Sequence, residues 1–101
     1  MKVIFSSKAE GDLATKFRYI RDDLHNPVAA NNVVGKILRL SQELSHFPEL
    51  GVSLKAVDAA LATYRYLIAD NNLLVYRIED QKVFIVRVLY ARSDYVRLLQ
   101  G

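Results

Sequence analysis

The sequence predicts an α+β domain of order β-α-α-β-β-β, in which a helical hairpin packs on a small antiparallel sheet. Three observations carry that reading. In the first half, apolar residues such as Leu13, Phe17, Ile20 and Leu24 recur at helical spacing. From Thr63 to Leu99, three runs rich in Val, Ile, Leu, Tyr and Phe are separated by two polar breaks, the pattern of three short antiparallel strands. The two periodicities do not alternate along the chain, so helices and strands are segregated as in α+β folds. The 101 residues suffice for one domain over 1–101.

The elements follow in order. Lys2–Phe5 (KVIF) is short and apolar and reads as a first strand. Ser6-Ser7 interrupts it, and Ser7 with Glu10 fits a capping box, predicting a helix over Lys8–Leu24. Asn26 is a good N-cap, and Pro27 suits the first helical position because its missing N–H is not needed there. Ala30, Val33, Val34, Ile37, Leu38, Leu44 and Phe47 then form the apolar stripe of a second helix, which Pro48 and Gly51 of HFPELG end. A link this short makes the helices an antiparallel hairpin. Leu54–Leu61 fits a loop, a poor strand or a short helical turn.

Three strands are expected at Tyr64–Ala69, Leu73–Glu79 and Lys82–Tyr90. Asn71-Asn72 suits a tight turn because Asn tolerates positive φ, and Glu79–Lys82 supplies the second turn. Ser93–Leu99 reads as a short C-terminal helix. Strict alternation then puts Tyr64, Tyr66, Ile68, Leu73, Val75, Phe84, Val86, Val88 and Tyr90 on one face, with Arg77 its one charge. The other face carries Leu67, Leu74, Tyr76, Ile78, Val83, Ile85 and Leu89, interrupted by Arg65 and Arg87. The first face is expected to bury against the helices, leaving the second for a partner.

Composition narrows the function classes. No cysteine is present, which excludes disulfides and thiolate metal sites. The two histidines have no third ligand at useful spacing, and the four glycines are scattered, so neither a metal site nor a phosphate loop is expected, and no cofactor. No apolar run approaches the ~18 residues of a membrane span, and Lys2–Phe5 is too short for a signal-peptide core, so a soluble cytoplasmic protein without membrane contact is expected. A net charge of +3 permits contact with nucleic acid or an acidic protein.

The candidates for function are Arg65, Arg87, Tyr90, Arg92 and Tyr95. Arginines on adjacent strands can clamp a phosphate or carboxylate in two-point fashion. For RNA cleavage, Arg65 and Arg92 could stabilise charge on the scissile phosphate, with Tyr95 aiding proton transfer. Tyrosine, with a reference pKa near ~10, is a poor general base unless strongly shifted. The competing reading is structural: Arg77 and Arg87 lie along apolar surface and pair with Glu79, Asp80 or Asp94.

The runs FSSKAEGDLATKFRYI, NPVAA, FPELG and YRYLIADNNLLVYRIEDQKVFIVRVLYARSDYVRLL together resemble the RelE/ParE superfamily of bacterial toxins from type II toxin–antitoxin systems. The likeness covers nearly the whole chain and is greater to the ParE branch. Ribonuclease members commonly carry an arginine just before the VY of the third strand, where this chain has Leu73, and Leu67 stands where a second basic residue is usual. Many ParE-like chains have His where this one has Tyr90, which removes a neutral-pH proton carrier. The resemblance implies a toxin that binds DNA gyrase and is neutralised by an antitoxin, with Arg65, Arg87, Tyr90, Arg92 and Tyr95 as target-binding residues. Two alternatives remain: a ribosome-dependent endoribonuclease acting on mRNA, and an inactive member that only binds antitoxin.

Overall fold

The computed structural model describes residues 1–100. Strand β1 (Lys2–Phe5) leads into helix α1 (Ser7–Arg18), whose last turn widens into a π-helical turn over Tyr19–Asp23. Helix α2 (Pro27–His46) follows, then a two-residue strand β2 (Val52–Ser53) and two 3₁₀ turns at Leu54–Ala56 and Ala59–Leu61. Strands β3 (Tyr64–Ala69), β4 (Asn72–Glu79) and β5 (Lys82–Tyr90) precede a short helix α3 (Tyr95–Gln100).

The expected α+β class and element order hold. The sheet has five strands in the order β1-β5-β4-β3-β2. β3, β4 and β5 pair antiparallel, as read, while β1 joins β5 in parallel after the chain has passed through both helices. Leu54–Leu61 resolves its ambiguity as 3₁₀ turns, capped by Ser53 Oγ on the Lys55 N–H (3.1 Å) and Asp58 on the Ala60 N–H (2.9 Å).

Two boundaries shift by one residue. The cap of α1 is Ser6 rather than Ser7: its Oγ accepts from the Ala9 N–H at 3.0 Å. Ser6 is chosen because it is already held to β5, its N–H donating to Ile85 O (2.9 Å) and its Oγ to Val86 O (2.8 Å). The first hairpin turn is Asp70-Asn71 rather than Asn71-Asn72, with Asp70 taking the positive φ of 55°. Asp80 and Gln81 (φ 52° and 57°) make the second, and positive φ at both positions matches the twist of the flanking strands. Asn26 caps α2 as expected, accepting from the Ala29 N–H at 3.0 Å.

The face assignment is corrected. The helices cover the second face: Ala9, Ile37 and Leu44 pack with Leu74, Tyr76, Val83 and Ile85, and Leu67 and Ile78 lie against them. The first face is covered as well. Leu54 and Leu61 from the 3₁₀ turns and Tyr95, Val96 and Leu99 from α3 close over Leu73, Val75, Tyr64 and Tyr66. Arg65, opposite Tyr76 on the helix-covered face, turns to Gly51 O, while Arg87 stands opposite Val75 and reaches Asp12 of α1. Complete burial of one such aliphatic side chain contributes roughly 1.5–3 kcal/mol, so both layers matter to a domain of this size.

A β-bulge also breaks the strict alternation. Val75 pairs with Arg87 but Tyr76 with Ile85, leaving Val86 without an opposite residue. Beyond it the strand's faces exchange. Val88 pairs with Leu74 and enters the helix-side core, and Tyr90, opposite Asn72, turns toward α1.

Candidate functional site

The five expected site residues are dispersed. Arg65 reaches the loop after α2, its guanidinium donating to Gly51 O at 2.8 Å. The same loop is held by Tyr76, wholly buried, whose hydroxyl donates to Pro48 O (2.7 Å) and accepts from the Gly51 N–H (2.8 Å). A Cβ on Gly51 would lie 2.6 Å from that tyrosine and 2.8 Å from Tyr66 O, so the HFPELG segment requires glycine for close approach. Burial raises the Tyr76 pKa, against a partial downward pull from the Gly51 hydrogen bond.

Arg87 is also committed. It grips Asp12 of α1 through Nε (2.9 Å) and Nη2 (3.0 Å), while the Val88 N–H donates to the same carboxylate at 2.9 Å. Both side chains are mostly buried. The hydrogen bond to Asp12 drives the Arg87 pKa further up, against a smaller desolvation effect. Tyr95 packs into the cluster beneath α3. Arg77 takes the pairing expected of it, with Glu79 at 3.0 Å.

Tyr90 and Arg92 are the two that meet. They line a surface depression with Asn71 at the end of the sheet. Arg65 lies at the other end of β3, four residues from Ala69, or roughly 13 Å along the strand. Arg65, Arg92 and Tyr95 are therefore not assembled around one phosphate: Arg65 holds a loop, Tyr95 is in a core layer, and Arg92 is on the far rim.

The structure adds residues that the sequence reading passed over. Between α1 and the end of β5 runs a groove of about 690 Å³, lined by Asp12, Thr15, Lys16, Tyr19, Tyr90 and Ser93 among others. Lys16 is only 5% exposed, and its ammonium sits over the Tyr90 ring, 3.6 Å from the centroid. Burial lowers the Lys16 pKa; Asp12 opposes that effect and Arg87 adds to it. Beyond Lys16 and Tyr90 the groove continues into a smaller hollow of about 220 Å³, bordered by Tyr19, Asn71 and Asn72. Asn72 is 6% exposed, and its Oδ1 has no hydrogen-bond partner. A signal for this face existed in the sequence: Asp12, Lys16 and Tyr19 recur at i, i+4 and i+7, the spacing of one helical stripe. Among the described residues, no group of three or more His, Asp or Glu is placed to hold a metal ion, and no helix is long and apolar enough to cross a membrane.

Comparison with known proteins places this architecture. A family model described as the ParE toxin of type II toxin–antitoxin system, parDE, matches residues 3–95. A search of curated proteins finds no match. Among solved structures, the chain superposes on one from the chromosomal ParDE toxin–antitoxin system of P. aeruginosa with a TM-score of 0.74, at 18% identity, covering 89% of this chain and 95% of that one. It also superposes on one from the RelBE2 toxin–antitoxin complex of Mycobacterium tuberculosis with a TM-score of 0.65, at 24% identity, covering 88% and 95%. At these identities the superpositions support the fold.

Proposed function

The chain belongs to the ParE toxin family of type II toxin–antitoxin systems, and on that premise we propose that it arrests growth by binding DNA gyrase in the cytoplasm and is neutralised by a cognate antitoxin. The observation that carries the choice of target is how the arginines are used. Arg65 is bonded to Gly51 O and Arg87 to Asp12, and Tyr95 packs beneath α3, so these side chains serve the fold. Phosphoryl chemistry needs several charged groups converging on one reacting centre, and the dispersed set supports binding over catalysis. The target surface in this reading is the rim carrying Tyr90 and Arg92, where an exposed aromatic ring and a cation lie together. Arg65, Arg87 and Tyr95 contribute by holding the elements that present it.

The test is supercoiling by purified gyrase, titrated with this protein. The expected result is dose-dependent inhibition or trapped cleaved DNA, reversed by antitoxin. Full supercoiling with toxin in excess, together with codon-positioned cuts in mRNA after induction, would overturn the proposal in favour of ribosome-dependent cleavage.

A further inference from the structure

Lys16 is a buried cation whose charge is not paired with an acid. It is 5% exposed, and among the described residues its ammonium forms no salt bridge. Two carboxylates border the space around it, and both are engaged elsewhere. Asp12, one turn back on α1, accepts from Arg87 and the Val88 N–H, and Asp70 is paired with Lys36 at 2.9 Å. What the ammonium meets is a ring: Nζ lies 3.6 Å from the centroid of Tyr90. Withdrawing an ammonium from water is costly, and an apolar side chain here would fill the same stripe of α1. The charge has one visible use, its attraction to the face of the Tyr90 ring.

The main chain around Tyr90 is fixed without Lys16. Tyr90 pairs with Asn72 across the sheet, and its carbonyl accepts from the Ser93 N–H (3.0 Å) and Oγ (2.6 Å). The Ala91 N–H donates to Asn71 O at 2.8 Å. These bonds close a turn that presents the exposed Arg92. They leave the Tyr90 ring free to turn, at the end of β5 and with 48% of the residue exposed. Exposed side chains without such a contact exchange rotamers in picoseconds to nanoseconds. Lys16 reaches the ring from α1 and supplies the contact that selects one orientation.

We propose that Lys16 is a positioning residue for the target-binding rim: its ammonium holds the Tyr90 ring in the orientation that, beside Arg92, engages gyrase. This role rests on the gyrase reading above and adds to it a residue that does not itself touch the target. The two rim residues then have different supports, the Tyr90–Ser93 turn for Arg92 and helix α1 for the ring of Tyr90. Losing the contact weakens binding only in so far as the ring leaves its competent orientation. The strength of a largely desolvated cation–π contact sets that loss at about 5- to 30-fold.

The supercoiling assay reads this role when purified gyrase is titrated with parent and variant toxins, alongside the χ1 rotamer of Tyr90 measured by NMR in the free toxin. Lys16→Gln and Lys16→Leu are both neutral. Each should raise the inhibitory concentration about 5- to 30-fold and leave Tyr90 averaging between rotamers. Lys16→Arg keeps a cation over the ring, the groove of about 690 Å³ accepts its larger head, and inhibition should stay within threefold of the parent. In a Tyr90→Leu background, Lys16→Gln should cost nothing further, because the ring it acts through is gone. Lys55→Met, at an exposed lysine on the first 3₁₀ turn, is the control and should inhibit as the parent does. Folded neutral variants that inhibit within twofold of the parent, or whose Tyr90 keeps a single rotamer, would overturn the positioning role and leave the gyrase reading standing. An equal loss in the Tyr90→Leu background would also overturn it, and would mark Lys16 as a support of the fold alone. A parent that leaves supercoiling intact would overturn the gyrase reading and the role at the target with it.

Discussion

Asp12→Ala should be among the most damaging single substitutions in this protein, although Asp12 lies on α1 and far in sequence from its partners. The aspartate accepts two hydrogen bonds from Arg87 and one from the Val88 N–H, at 2.9, 3.0 and 2.9 Å. The side chains of Arg87 and Asp12 are 20% and 15% exposed. Truncation therefore leaves a largely buried guanidinium without its counter-charge and a backbone donor without an acceptor, next to the bulge. Breaking a buried pair by removing one partner costs roughly 3–5 kcal/mol, and the residual water access argues for the lower end. The orphaned N–H adds about 1 kcal/mol. A loss of ~3–4 kcal/mol is a large part of the ~5–15 kcal/mol that holds a domain together. The assay is urea unfolding followed by far-ultraviolet circular dichroism. With a slope of ~1.3 kcal/mol/M, the midpoint should fall by about 2–3 M. The paired replacement Asp12→Leu with Arg87→Met removes both charges and should recover much of the loss. A drop below ~1 kcal/mol for Asp12→Ala, or a double variant no better than the single, would refute the view that Arg87 serves the fold.

Four further substitutions test the reading. Tyr76→Phe strands the Pro48 carbonyl and the Gly51 N–H and should cost roughly 1.5–3 kcal/mol in the same unfolding assay. Because burial raises the Tyr76 pKa, the unfolded chain ionises first at high pH: the stability linked to Tyr76 is intact below the ordinary value of 10.0 and is lost as pH rises beyond it toward the folded-state pKa. Parent and Tyr76→Phe should therefore converge between pH 9 and pH 11, and parallel curves would contradict the burial argument. Gly51→Ala, whose Cβ meets Tyr76 and the Tyr66 carbonyl, should destabilise by ~2–3 kcal/mol, and an unchanged melting curve would show that the loop is not pinned as described. Ser6→Ala loses the α1 cap and the bond to Val86 O and should cost about 1–2 kcal/mol. Arg92→Ala is on the exposed rim and should leave stability within ~0.5 kcal/mol while reducing gyrase inhibition at least severalfold; full inhibition would remove Arg92 from the target surface.

The sequence by itself determined the elements, because their causes are local. The period of Leu13, Phe17, Ile20 and Leu24 marks a helix, Asn26-Pro27 starts the next, and the Val-, Ile- and Tyr-rich runs separated by the polar breaks at Asn71-Asn72 and Glu79–Lys82 mark strands, the first turn lying one residue earlier in the fold. Their order established the α+β class, and whole motifs such as NPVAA and FPELG carried the family resemblance. Which face of the sheet receives the helices was decided by tertiary structure. Alternation states that two faces differ, but both are apolar here, and in the folded chain both are covered, one by α1 and α2 and the other by the 3₁₀ turns and α3. The bulge at Val86 inverted the last residues of β5, an event no periodicity reveals, and it brought Tyr90 under Lys16. An arginine in a strand looks the same in sequence whether it grips a loop, a helix or a ligand. Its partner is chosen by contacts tens of residues away, so only the folded chain could separate the arginines that hold the structure from the rim residues available to bind.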